Sequence, residues 1–124
     1  MKRIAFVNQS KPHKLIRGTG LVDYFEATTH ELIELFGNPL DHKYIDTYKS
    51  SKEWHVEVQH DDRTIGAVSI YDYKMFAPFD PHETHRWHLG GRPHTAVMEL
   101  IDFVTHAREM TKRHDDQINH VASN

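Results

Sequence analysis

Between His85 and Pro93 the chain gathers two histidines, two arginines, a tryptophan and a glycine pair. The run His85-Arg86-Trp87-His88-Leu89-Gly90-Gly91-Arg92-Pro93 reads as a short strand, a double-glycine turn and the first turn of a final helix. A helix start after such a turn offers unpaired backbone N–H groups and the positive end of the helix dipole, which suits an anion or phosphate. Arg86, His88 and Arg92 flank that point. Pro93 falls where a helix accepts a residue with a preset φ and no N–H. Tyr71, Tyr73 and Trp87 offer rings on which a base could stack, and Lys74 adds charge. The candidate ligand-binding set is therefore Tyr71, Tyr73, Lys74, Arg86, Trp87, His88, Gly90, Gly91 and Arg92. The plainer reading is a strand-to-helix turn that uses glycine for backbone geometry, with Tyr71 and Trp87 as core.

Other chemistries find less support. Asp80, His82, His85 and His88 are metal-competent, but strand alternation sends His85 and His88 to opposite faces, and their spacing matches no zinc motif. The twelve histidines are scattered along the chain, and there are no cysteines. Thiolate metal sites and cysteine nucleophiles are thereby excluded, and no Gly-x-Ser-x-Gly elbow occurs. No catalytic residue and no cofactor is expected.

The elements that must position these residues follow from periodicity and capping. Ile4 to Val7 reads as a short buried strand, and the polar, basic stretch from Asn8 to Thr19 as a loop. Leu21 to Ala27 reads as a strand with either face inward. Thr28-Thr29-His30-Glu31 is a capping-box pattern ahead of an apolar run, so a helix is expected over Thr29 to Phe36, ended by Gly37 and Pro39. Lys52 to Gln59 alternates, with Trp54, Val56 and Val58 inward. His60 to Arg63 is a turn, and Thr64 to Lys74 returns as a strand in which Gly66 marks a bulge or a close approach. Met75 to Pro81 is an irregular loop whose Phe76 and Phe79 pack down or form an adhesive surface. After the strand His85 to Leu89, a helix runs from Pro93 to about Arg113 on a stripe of Val97, Leu100, Ile101, Val104 and Ala107. Phe103 and Met110 fall beside that stripe and suggest a homodimer through this helix. The order ββαβββα predicts an α+β fold, an antiparallel sheet of about four to five strands with two helices on one face. One domain over 1–113 and a polar tail over 114–124 are expected.

The 124 residues carry a net charge of −3 with histidines neutral, which gives no general attraction to nucleic acid or membrane. The long helix is basic only at its C-terminal end, a poor recognition helix. Met1-Lys2-Arg3 precedes only four apolar residues, too few for a signal peptide or a span, so a cytoplasmic protein is expected.

A set of spaced motifs adds a resemblance: Phe36-Gly37-Asn38-Pro39, Glu53-Trp54, Ile70-Tyr71-Asp72-Tyr73-Lys74 and Trp87-His88-Leu89-Gly90-Gly91. This resembles a group of small uncharacterised bacteriophage proteins with a Trp-His-Ile-Gly-Gly signature after a Tyr-Asp-Trp/Tyr-Lys strand. Leu89 stands where that pattern has Ile. The resemblance covers roughly residues 20–105 and implies phage origin and a role in the host cytoplasm, with no particular activity. Two functions follow as expectations. One is a host-takeover or counter-defence protein that binds a phosphate-bearing, nucleotide-type small ligand without chemistry. The alternative is an anti-CRISPR-like inhibitor that blocks a host defence protein, for which Asp61, Asp62, Asp115 and Asp116 could mimic phosphates. A His-ligated metal enzyme comes third.

Overall fold

The computed structural model describes residues 3–46, 49–73 and 80–122. Five strands form one antiparallel sheet: β1 (Ile4–Asn8), β2 (Leu21–Thr28), β3 (Glu53–His60), β4 (Arg63–Tyr71) and β5 (Thr84–Arg92), in the spatial order β1-β3-β4-β5-β2. Two helices, α1 (Thr29–Phe36) and α2 (His94–Ala122), cover one face. The expected α+β architecture and element order are those of the molecule.

Alternation explains why one face is apolar. Trp54, Val56 and Val58 of β3, Val68 and Ile70 of β4, and Trp87 and Leu89 of β5 are fully buried against Leu32 of α1 and Val97, Leu100 and Val104 of α2. The two tryptophans meet edge to face at 5.5 Å. Each indole N–H leaves the core satisfied, Trp54 donating to the Gly37 carbonyl at 2.8 Å and Trp87 to that of Ala27 at 3.0 Å.

α1 begins as its sequence dictates. Thr28 Oγ1 accepts the Glu31 N–H and the Glu31 carboxylate accepts the Thr28 N–H, a complete capping box. Gly37, at φ 84°, closes the helix. The hairpin turns through Asp61 and Asp62, both at positive φ (49° and 67°), as the twist of a two-residue β-turn requires. Gly66 marks both things expected of it. The β3–β4 register shifts beside its partner Val58, and a Cβ there would meet Ala96 of α2 at 2.8 Å.

Three expectations change. First, Gly90 and Gly91 are not a turn. They lie inside β5, where Gly90 pairs with Ser69 and Leu21, and Gly91 with Val68. Second, α2 begins at His94, with Pro93 one residue ahead accepting the Ala96 N–H, and it continues to Ala122, beyond Arg113. Third, Phe103 packs within the chain, stacked on Phe6 at 4.6 Å and tilted on Phe36 at 6.0 Å. Met110 is half exposed. Phe76 and Phe79 lie outside the described residues, and so does Lys74. Among the described residues no helix is long and apolar enough to cross a membrane.

Candidate functional site

The uncovered face of the sheet carries the polar half of each alternating strand. One cross-strand row contains Glu53 of β3, Tyr71 of β4, His88 of β5 and Tyr24 of β2, each opposite the next in register. The Tyr71 and His88 rings stack, 5.4 Å between centroids. Tyr24 tilts against His88 at 4.9 Å, and Tyr73, just past β4, meets it edge-on at 5.5 Å. The Arg86 guanidinium lies 4.4 Å from the centre of the Tyr24 ring, a cation–π contact.

Beside this aromatic row a cavity of about 300 Å³ opens. Its sheet side is formed by Glu53, Ser69 and Tyr71. The preceding loop supplies Ile16, Thr19 and Gly20, the β3 approach supplies Asp46, Lys49 and Ser50, and Tyr73 stands at the end. The loop is folded onto the sheet by specific bonds. Its His13 N–H donates to His55 Nδ1 at 3.0 Å, His13 Nε2 bonds Glu57 at 2.9 Å, and Arg92 donates to the Arg17 carbonyl at 2.9 Å.

These contacts settle the tautomers of two histidines. In each ring Nδ1 accepts a backbone N–H, from His13 for His55 and from Leu15 for His13. The ring proton is therefore on Nε2 and is donated to a carboxylate, His55 to Glu53 at 2.6 Å and His13 to Glu57 at 2.9 Å. Neither imidazole keeps a lone pair for proton abstraction or metal binding. Hydrogen bonds from Gln59 and then His13 hold the Glu57 carboxyl below its usual range.

Burial lowers the pKa of His88, the Arg86 charge lowers it further, and Asp72 opposes both, so the ring is neutral at pH 7. Among the described residues its Nδ1 has no hydrogen-bond partner. Burial, and next the Glu53 carboxylate, push the Tyr71 phenol up. Asp72, between the two tyrosines, is fully buried and accepts the Ser51 and Lys52 N–H groups at 2.9 and 2.8 Å, together with the Ser51 hydroxyl. It ties the 50–52 segment to the end of β4 and so positions Tyr71, Tyr73 and the Lys49–Ser50 wall.

No family model, curated protein or solved structure matches this chain. The site is therefore read from its own geometry.

Of the residues singled out in the sequence, Tyr71, Tyr73, Arg86 and His88 come together on the open face. Trp87 does not, because β5 alternation buries it completely in the core. Gly90 and Gly91 offer no helix-start cradle, since both are paired within the sheet. Their glycine character answers close approach instead. A Cβ on Gly90 would meet Ser69 Oγ at 2.8 Å and the Gly20 carbonyl at 2.9 Å, and one on Gly91 would collide with the Ala67 carbonyl. Arg92 is spent on the loop carbonyl. The metal candidates separate: His82 tilts against His30 at 5.0 Å, Asp80 accepts the His82 N–H at 2.8 Å, and His85 stands edge-on to Trp87 at 6.4 Å, across the sheet from His88. Among the described residues no group of three His, Asp or Glu converges to hold an ion.

Sequence reasoning missed Glu53, His55, His13, Ser69 and Lys49. Strand alternation marks Glu53 and His55 as outward, but nothing local says that the 11–20 loop lies over them.

Proposed function

We propose that this protein is a binding module that holds a small, flat, phosphate-bearing ligand of the nucleotide type on the open face of its sheet, without chemistry. One observation carries the reading: Tyr71 stacks on His88 while also lining a polar cavity large enough for a nucleobase. A ring braced from behind is an ordered stacking surface, and ordering it in advance lowers the entropy cost of binding. Lys49, on the cavity wall, supplies a cation for a phosphate. The engaged nitrogens of His13 and His55 favour binding over catalysis, because neither ring is free to act as a base.

The setting we propose is phage host takeover or counter-defence in the host cytoplasm, by withholding a signalling nucleotide. Its support is the Trp87-His88-Leu89-Gly90-Gly91 signature and the motifs around it.

The test is a thermal-shift and calorimetric series with mononucleotides, cyclic nucleotides and ADP-ribose derivatives. A ligand at a hundred times its Kd adds about 2.7 kcal/mol of stability, a shift of several degrees for a domain of this size. Tyr71→Ala is expected to abolish the shift while the protein stays folded. No shift with any of these ligands overturns the reading and leaves the blocking of a host protein as the alternative.

A further inference from the structure

Glu53 stands directly opposite Tyr71 in the β3–β4 register, and both residues line the cavity. Residues so paired keep their Cβ atoms about 5 Å apart, so a flat ring held in the cavity against Tyr71 lies within reach of the Glu53 carboxylate.

That carboxylate is held in place. His55 is almost fully buried, with 4% of its surface exposed. The His13 N–H occupies its Nδ1, so its only ring proton is on Nε2 and points at Glu53 Oε2, 2.6 Å away. The donor is neutral, and Glu53 keeps its negative charge and its remaining acceptor capacity. An ionised carboxylate accepts hydrogen bonds and donates none. It attracts N–H groups on a ligand edge and repels carbonyl oxygens and bare ring nitrogens placed against it.

We infer that the ligand presents two adjacent N–H donors to Glu53, which among the common bases is the N1–H and 2-amino edge of guanine. This rests on the nucleotide-binding reading above and narrows it to a base class. Adenine and cytosine offer an amino group next to a bare ring nitrogen. Uracil offers one N–H between two carbonyls. Either arrangement sets a lone pair against the carboxylate where guanine sets a second donor. The Ser69 hydroxyl, two residues before Tyr71 on the same face of β4 and also on the cavity, both donates and accepts, and so it can serve the guanine O6 side.

The experiment is isothermal titration of the whole protein with GMP, IMP and UMP, repeated with Glu53→Gln. IMP differs from GMP only in lacking the 2-amino group. GMP is expected to bind about tenfold more tightly than IMP, the worth of one hydrogen bond to a charged acceptor, and UMP more weakly than either. Glu53→Gln keeps the shape of the side chain and an oxygen for His55 but removes the charge, and it is expected to bring the GMP-to-IMP ratio close to one. Equal affinity for GMP and IMP, or a ratio unchanged by Glu53→Gln, overturns the guanine assignment and leaves nucleotide binding standing. Absence of binding by all three overturns this inference, while the wider series of mononucleotides, cyclic nucleotides and ADP-ribose derivatives decides the nucleotide reading. Should Glu53→Gln fail to fold, the GMP, IMP and UMP affinities of the unaltered protein decide the matter.

Discussion

The rings of Tyr71 and His88 lie nearly parallel, 17° between planes, on neighbouring strands of the open face. This stacking has a pH consequence. His88 in the folded protein has a pKa below its ordinary value of 6.5, from burial first and the Arg86 charge second. The unfolded chain therefore takes up the proton more readily. Stability contributed by the neutral ring is full above about pH 6.5, falls as pH drops below that value, and levels off once pH passes the lowered folded pKa. Thermal melts of the protein and of His88→Phe between about pH 8 and pH 5 test this. The variant is expected to lose less Tm on acidification, and parallel curves would remove His88 as a source of the acid sensitivity.

Gly91→Ala is expected to prevent folding. The new Cβ would strike the Ala67 carbonyl at one end of the β4–β5 ladder, at a φ of 130° that side chains rarely adopt. Gly90→Ala presses instead on Ser69 Oγ and on the Gly20 carbonyl of a loop that can lift. It is expected to fold, with a loss of about 1–3 kcal/mol and weakened ligand binding as the loop wall retreats. Urea unfolding and soluble yield separate the two variants.

Asp72→Ala removes a fully buried acceptor and leaves the half-buried Ser51 and Lys52 N–H groups without it. The expected cost is about 1–3 kcal/mol in denaturant unfolding, because the bonds to the carboxylate are lost and water reaches the donors only in part. Ligand affinity falls in the same variant, since Tyr71, Tyr73 and the Lys49–Ser50 wall lose their common tie. A variant with ordinary affinity would show that the 50–52 segment is positioned by other contacts.

Arg92→Ala removes the bond to the Arg17 carbonyl, which is exposed and therefore worth no more than about 1 kcal/mol of global stability. Its effect is local: the 11–20 loop opens more often, and limited trypsin digestion at Lys14 and Arg17 accelerates while Tm scarcely moves. If Arg92 bound phosphate directly, loss of ligand affinity would come with no change in digestion rate.

The elements with local causes were legible in the chain. Thr28, Glu31 and Gly37 specify α1 through groups at most nine residues apart, and its bounds, Thr29 to Phe36, coincide with the expectation. Trp54, Val56 and Val58 follow from period-two alternation, as do His85, Trp87 and Leu89. The same alternation placed Trp87 opposite His88, so a pocket containing both was never available to one strand face. The glycine pair misled because Gly-Gly after a strand is ordinarily a turn. Here the absent side chains admit β4 and the Gly20 loop, partners far away in sequence.

From its own residues the chain determined its capped helix, its alternating strands, its α2 stripe and an α+β class, because capping, periodicity and turn chemistry act over a few neighbours. Tertiary structure alone decided the site. The order β1-β3-β4-β5-β2 brings Glu53, Tyr71, His88 and Tyr24 into one row, and the 11–20 loop folds over it through His13 and Arg92. Such a row exists only once strands from four parts of the chain share a register, and register is set by long-range pairing and by which face must be buried.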